Sequence, residues 1–428
     1  MESLSATRDL WSPVKKFLFR FFFVYFFVYS FPFPFDSFDF TKPIAQPLYN
    51  FWDWLVLHVG EKWYHIRTST AFPMFDKMDD SGYGLVFTFL NLQFSAVTAT
   101  CWTLADHRRK NYEKLYQWLR LYLRYYLAAS LFGYGFLKVF PSQFEPITAA
   151  NLAMPVGDQS AMMLAWNFMG YSTVMMRFTG IAEVGAGILL LFRRTTTFGA
   201  ILSSCVFSYV VLMDFCFNVP VRLFASHLLV ISIFLVLEDR HRLLHIFFLN
   251  KPTEAVEPVT LVTHPAARKA LIVAQAVVVL SLLYANVTKS IDEEKTIGHK
   301  TPPVPLYGIY NTIYFIRNKD TIPPLETDSL RWKQLVVDGG SWKQPGIIQF
   351  STDKRNFYTI LADTAKSILK IQSFTDITEK YFLHYIVQDG DHLLLKGRFK
   401  QDSIETLMRK YDLNNYLLHK EKFTWITN

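Results

Sequence analysis

Cysteine is scarce in this chain: the three present in 428 residues, Cys101, Cys205 and Cys216, form no C-x-x-C pair, so a dithiol redox centre is not supported. Charge is scarce as well, at 19% of residues against roughly 25% in soluble domains. The net surplus is +8, yet from Ile291 onward there are 19 Lys and Arg against 17 Asp and Glu, so six of the eight surplus charges precede that point. They sit in short loops between apolar blocks, the positive-inside pattern of a membrane protein, and no nucleic acid is expected as a partner. The carboxyl-terminal tail has no catalytic triad, no glycine-rich phosphate loop and no zinc cluster.

What fills the chain is hydrocarbon. Half of it (51%) is hydrophobic and 17% aromatic, with 40 Phe and 22 Tyr. A membrane crossing needs about 20 mainly apolar residues for a hydrocarbon core of about 30 Å. Seven segments qualify: Phe17 to Phe31, Leu85 to Leu104, Leu119 to Phe140, Val174 to Phe192, Phe198 to Phe217, Val221 to Leu237, and Ala270 to Ala285. The first is read as an uncleaved anchor, because no small-residue cleavage site follows it. If the spans alternate, Lys15/Lys16, Arg108/Arg109/Lys110/Lys114, Arg193/Arg194, Arg240/Arg242 and Arg268/Lys269 share one side, while the loop from Ser142 to Thr173 carries no Lys or Arg. That predicts a multi-pass membrane protein with a cytoplasmic amino terminus and an extracytoplasmic carboxyl-terminal domain.

Between the first two spans, Leu48, Phe51, Trp52, Leu55, Val59 and Trp63 recur at helical spacing within Pro47 to Ile66, predicting an amphipathic helix for the headgroup region. His58, Glu61 and His65 fall close to one of its faces. The wet face of an interfacial helix explains them without a metal, and none is assigned.

Past the proline-stiffened linker Lys300 to Pro305 the period changes. Strands are predicted at Ile309 to Ile316, Gly346 to Phe350, Phe357 to Leu361, Ser367 to Ile371, Tyr381 to Val387 and His392 to Phe399. Gln388-Asp-Gly-Asp391 joins the last two with a hairpin signal. The fold class is therefore an α-helical bundle of about seven spans (1–290) followed by an all-β domain (291–428), an antiparallel meander closing as a barrel or a sandwich. Trp332, Trp342, Phe357, Tyr358 and Trp425 would line any ligand cup, although aromatics in so small a domain more often form core.

Ionisable groups within spans cost roughly 2.5 to 3.5 kcal/mol each and usually face the bundle interior or a cavity. Six stand out: Lys138, Arg177, Glu183, Asp214, Arg222 and His227. Most lie toward the outer ends of their spans, with Glu183 near mid-depth, and all six are placed to converge on one outward-facing cavity. Gly133 and Gly135 precede Lys138, and Gly180 and Gly187 flank Glu183, a spacing that lets helices approach closely. Snorkelling cations and structural ion pairs produce the same pattern.

The stretch Arg124-Tyr-Tyr-Leu-Ala-Ala-Ser-Leu-Phe-Gly-Tyr-Gly-Phe-Leu-Lys138, the stretch from Phe178 through Gly180, Glu183 and Gly187 to Thr195, and Asn218-Val-Pro-Val-Arg222 before Ser226-His227 together resemble the DoxX-like membrane family, a four-helix bundle group, over 119–248. The resemblance implies an inner-membrane protein, in some members linked to redox or quinone metabolism. The same superfamily resembles the vitamin K-dependent carboxylases, which also carry several spans before an extracytoplasmic β-rich region; Lys138 would fall where a lysine acts as base toward a reduced quinone. Asp214, Phe217-Asn218 and Arg222 replace the Asn, Tyr-Asp and Lys of that pattern.

Three functions compete. In the first, Lys138, Glu183 and His227 are catalytic while Arg177, Asp214 and Arg222 bind a ligand, with quinone as the cofactor considered and another membrane protein as an alternative partner. In the second, the chain is a non-enzymatic envelope module whose β domain binds a partner or a lipid-like ligand. The third, a proton-coupled transporter using Glu183 and His227, ranks lowest because no inverted repeat or broken helix pair is evident.

Overall fold

A computed structural model describes residues 10–38, 40–63, 65, 80–253, 261–338, 346–374, 376 and 378–420. The chain divides into two compact units, Met1–Phe140 with Val174–Asp292, and Pro141–Thr173 with Glu293–Asn428.

The chain opens with helices α1 (Pro13–Ser30), α2 (Lys42–Trp63), α3 (Gly82–Ala105) and α4 (Glu113–Val139). Two short helices, α5 (Ala149–Ala153) and α6 (Ala161–Tyr171), belong to the second unit. The first unit resumes with α7 (Thr173–Leu191), α8 (Thr196–Cys216), α9 (Arg222–Val236), α10 (Arg240–Phe247) and most of α11 (Pro265–Thr296). All seven expected spans are therefore helical. Five helices, α1, α3, α7, α8 and α11, are long and apolar enough to cross a membrane. Of the other two, α4 carries Arg120, Arg124 and Lys138, and α9 has only 15 residues.

Local chemistry sets the ends. The Ser12 hydroxyl accepts the Lys15 amide at 3.2 Å ahead of Pro13, and Ser81 accepts that of Gly84 at 3.3 Å, closing the first turns of α1 and α3. At the other pole of α7, the Arg124 guanidinium donates to the carbonyls of Leu190 (2.7 and 2.9 Å) and Leu191 (3.1 Å), satisfying a helix C-terminus with a cation. An aromatic-rich core including Phe26, Phe87, Leu123, Leu127, Phe132 and Ile231 holds the helices together.

The amphipathic α2 buries Ala45, Val56 and Gly60 and exposes Phe51, Trp54 and Trp63. It ends at Trp63, and His65 beyond it has a left-handed φ of 51°, so His58, Glu61 and His65 do not share a helical face. Among the described residues no cluster of three potential metal ligands occurs.

The β unit holds β1 (Gly308–Arg317), β2 (Asp320–Thr321), β3 (Trp332–Val337), β4 (Gly346–Phe350), β5 (Arg355–Asp363), β6 (Ile368–Ser373), β7 (Lys380–Gln388), β8 (His392–Phe399) and β9 (Asp402–Tyr411), with a final turn of helix, α12 (Leu417–Lys420). β1 pairs antiparallel with β3, consecutive strands from β3 to β9 pair antiparallel, and β1 pairs with β9, closing an eight-stranded barrel to which β2 adds two residues beside β1. Of the two β architectures expected, it is the barrel. Its interior is filled by Leu335, Ile348, Ile360, Leu369, Leu383 and Met408 among others, as eight strands leave room for little more than side chains. Three strands went unseen in the sequence, among them the two-residue β2, too short to show a period. In β3, Lys333-Gln334 precedes Leu335-Val-Val337 and hides the alternation; in β9, Leu407 interrupts the inward series Ile404, Thr406 and Met408.

Residues 141–173, which lie between α4 and α7 in sequence, pack on this barrel. Ala149 and Ala150 of α5, with Met154 just after it, cover Ile309, Val336 and Ile347 on the outer face of β1, β3 and β4. Two orphan amides at the α5 N-terminus are satisfied from the β unit: Ala149 donates to the Tyr307 hydroxyl at 2.9 Å and Ala150 to the Asp338 carboxylate at 2.8 Å. Burial, with the Asp338 charge adding to it, pushes the Tyr307 hydroxyl up to about 12. Arg355 at the start of β5 adds an ion pair to Asp158 at 2.7 Å.

Candidate functional site

Glycine brings the charged groups of the helical unit together. A Cβ on Gly180 would meet the Gly135 carbonyl oxygen at 2.7 Å and the Lys138 Cβ at 2.8 Å, so α4 and α7 touch backbone to backbone. Gly187 does the same against the Phe132 ring at 2.7 Å, whereas Gly133 meets only Asn286 at an ordinary 3.7 Å. At this contact Lys138, in the last turn of α4, donates to both carboxylate oxygens of Glu183 at 2.7 and 2.8 Å. The pair is closed off from solvent, with Lys138 6% and Glu183 4% exposed. A helix C-terminus favours the cation.

A second pair lies at the start of α9. Asp80 accepts the Arg222 Nε at 2.7 Å and the backbone amides of Arg222 and Leu223 at 3.0 and 2.8 Å. It caps the helix and neutralises an arginine that the helix N-terminus would otherwise repel. Arg222 also donates to the Asn218 side chain at 3.2 Å.

Asp214, in the last turn of α8, lies within electrostatic reach of Lys138, Arg222 and Asp80. It is 5% exposed, and its Oδ2 has no hydrogen-bond partner among the described residues. Two acids and two bases cancel in pairs, and this third acid is left over. Tyr134, one turn before Lys138, lies within reach of both Asp214 and Glu183.

His227 forms a separate group on α9. Its Nδ1 sits 2.6 Å from the Leu223 carbonyl, which only accepts, so Nδ1 carries the proton and Nε2 accepts the Tyr25 hydroxyl at 2.5 Å. The Tyr29 ring stacks on the imidazole at 4.0 Å. Of the six span residues singled out, the structure thus joins Lys138 with Glu183, places Asp214 and Arg222 near them, and ties His227 to α1. Arg177 is exposed and makes no hydrogen bond or ion pair among the described residues.

Two participants escaped the sequence. Asp80 lies in the polar run Asp79-Asp80-Ser81, and nothing local says that it caps a helix 142 positions away. Arg20 reads as one of the charges entering α1, yet it is 2% exposed. Its guanidinium donates to the Tyr112 hydroxyl (2.7 and 3.0 Å), the Thr103 hydroxyl (2.8 Å) and the Asp106 carbonyl (2.8 Å), while Tyr112 donates to the Asp106 carboxylate at 2.9 Å. Its place between Phe19 and Phe21 was the available signal.

Of the expected cup residues in the β unit, Trp332 and Tyr358 are core, Trp332 also lining a cavity at one end of the barrel, and Phe357 is exposed; Trp342 and Trp425 lie outside the described residues.

Against known proteins, the chain is 33% identical over 124 residues to the uncharacterized protein YwoB of Bacillus subtilis (strain 168), a match that covers 29% of this chain and 79% of that protein. No family model and no solved structure matches.

Proposed function

Because the chain belongs to the same family as the uncharacterized Bacillus protein YwoB, membership brings no activity with it, and we propose a function from the polar cluster: an inner-membrane, DoxX-like protein whose helices bind the headgroup of a quinone or hydroquinone. In this reading α4 and α9 cross the membrane together with the five long apolar helices, and the β barrel lies on the extracytoplasmic side. The observation that carries it is the leftover carboxylate. A buried acid with an oxygen that no donor reaches costs stability, and such groups cluster at ligand and proton sites.

The geometry suits a hydroxyl. Lys138 has three N–H donors and spends two on Glu183, leaving one for a ligand oxygen. Asp214 offers a free acceptor. A hydroquinone hydroxyl accepts from the first and donates to the second. Lys138 then orients the ligand, Glu183 holds Lys138, and Asp214 takes or returns the proton. Arg222 and Asp80 hold the start of α9, with His227 a positioning residue between α9 and α1. The enclosure of the cluster fits a ligand arriving through lipid rather than water.

The test is organic extraction and native mass spectrometry of the gently purified protein. Wild type should carry stoichiometric quinone, and Glu183→Gln and His227→Ala should lose it. Wild type free of any quinone, and unaffected in stability by added quinone, would sink the reading.

A further inference from the structure

The barrel wall is incomplete at one point. β1 pairs with β3 only over Gly308 to Asn311, and its later residues Ile316 and Arg317 pair with β2 instead. Beyond that split Phe315 and Trp332 are no longer neighbours in a ladder, and a cavity of about 200 Å³ opens at this end of the barrel, completed by Ser329 and Leu330 of the β2–β3 connection.

Its lining is two-faced. Phe315, Trp332, Phe350, Phe399 and Ile404 form an apolar wall, with Trp332 edge-on to Phe399 at 5.0 Å. The opening carries Arg317, Lys354 and Lys400, drawn from the end of β1, the β4–β5 turn and the β8–β9 turn. None of the three makes a hydrogen bond or ion pair through its side chain among the described residues. Two acids lie by the opening: Asp402 lines it and accepts the Asn318 amide at 2.6 Å, and Asp328, which accepts the backbone amides of Leu330 and Arg331 at 2.7 and 2.9 Å, lies within electrostatic reach of Arg317. Arg317 follows Phe315 by two positions on β1, so strand alternation gives it the same, inward face.

We propose that this cup binds an anionic amphiphile, with a carboxylate or phosphate at Arg317, Lys354 and Lys400 and a compact apolar end against Phe315, Trp332 and Phe399. Three cations, one at the end of β1 and two in turns, outnumber the two acids around one apolar recess, a surplus complementary to an anion. The size sets an upper limit: the recess takes a ring or a short acyl end, and the packed barrel interior stops anything longer. This inference is independent of the quinone reading, since it concerns the other unit of the chain.

The experiment is calorimetric titration of the full chain in zwitterionic nanodiscs with phenyl phosphate, and with inorganic phosphate as the headgroup alone. Phenyl phosphate should bind saturably and at least about tenfold more tightly than inorganic phosphate. The Arg317→Gln/Lys354→Gln/Lys400→Gln variant should weaken it about tenfold, three exposed ion pairs being modest individually. Ser329→Trp, which fills the recess from its edge, should abolish binding, and Lys366→Gln, in the β5–β6 turn, should leave it unchanged. Repeating the titration with phosphatidylglycerol in the discs separates sources: a fall in apparent affinity for phenyl phosphate assigns the natural ligand to lipid, and no change assigns it to a soluble anion. Equal affinity for the two phosphates, or undiminished binding in the triple variant, overturns the proposal.

Discussion

The helical unit buries charge around Arg20 and around Lys138, and these two places are built on different terms. Around Arg20 the guanidinium reaches Tyr112, Thr103 and the Asp106 carbonyl, and the Asp106 carboxylate is reached in turn through Tyr112. Nothing there is left wanting. Around Lys138 the pairing with Glu183 is equally tight, but Asp214 beside it keeps a carboxylate oxygen without a partner. A satisfied buried network rigidifies a fold, whereas a half-satisfied one costs stability and persists where something else uses it. The first is glue, and the second has the form of a site.

Breaking the glue should have the largest effect. Arg20→Met takes the donor from the Asp106 carbonyl and from the Tyr112 and Thr103 hydroxyls, and is expected to cost about 3 kcal/mol, read as a large fall in unfolding temperature in detergent. Quinone per folded molecule should stay at the wild-type level; a fall would show the two networks to be coupled. Gly180→Val forces a side chain into the Gly135 carbonyl and should cost about 1 to 3 kcal/mol by overpacking. Unlike the Arg20 change it should also remove bound quinone, because it separates Lys138 from Glu183. Asp80→Ala removes the cap of α9 and the partner of Arg222, with an expected loss of about 1 to 2 kcal/mol, checked by the same melt.

The smallest effect lies in the β unit and depends on pH. Burial draws the Asp328 carboxyl up, but the amides of Leu330 and Arg331 and the charges of Arg317 and Arg331 outweigh it and hold the group below the usual carboxylate range. A depressed native value means stability that is present at neutral pH and lost as pH falls through that value. Barrel melting followed by near-ultraviolet circular dichroism should therefore weaken in acid for wild type, and weaken less for Asp328→Asn.

Much of this was legible from periodicity. The seven apolar segments became seven helices because each carries enough apolar surface to fix its own period, and the Trp-rich α2 formed for the same reason. The glycine pattern around Glu183 foretold the close approach of α4 and α7, while which of Lys138, Arg177 and Arg222 would pair with Glu183 stayed open in the sequence. What was hidden depends on distant chain: Asp80 finds α9 only in three dimensions, and 141–173 packs on strands more than 130 positions later. The leftover status of Asp214 was equally invisible, since a sequence shows that an acid is present and not which of its oxygens go unmet. Arg177, plausible on the page, is exposed in the fold because its face of α7 is not the one Gly180 and Glu183 share.

The most direct measurement is a paired one on Asp214→Asn: unfolding temperature and bound quinone from the same preparation. If the lone carboxylate is kept for a ligand, the variant is as stable as wild type or more so, within about 1 kcal/mol, and quinone is lost. A variant that melts well below wild type while retaining its quinone would contradict this, and would make Asp214 one more piece of the scaffold.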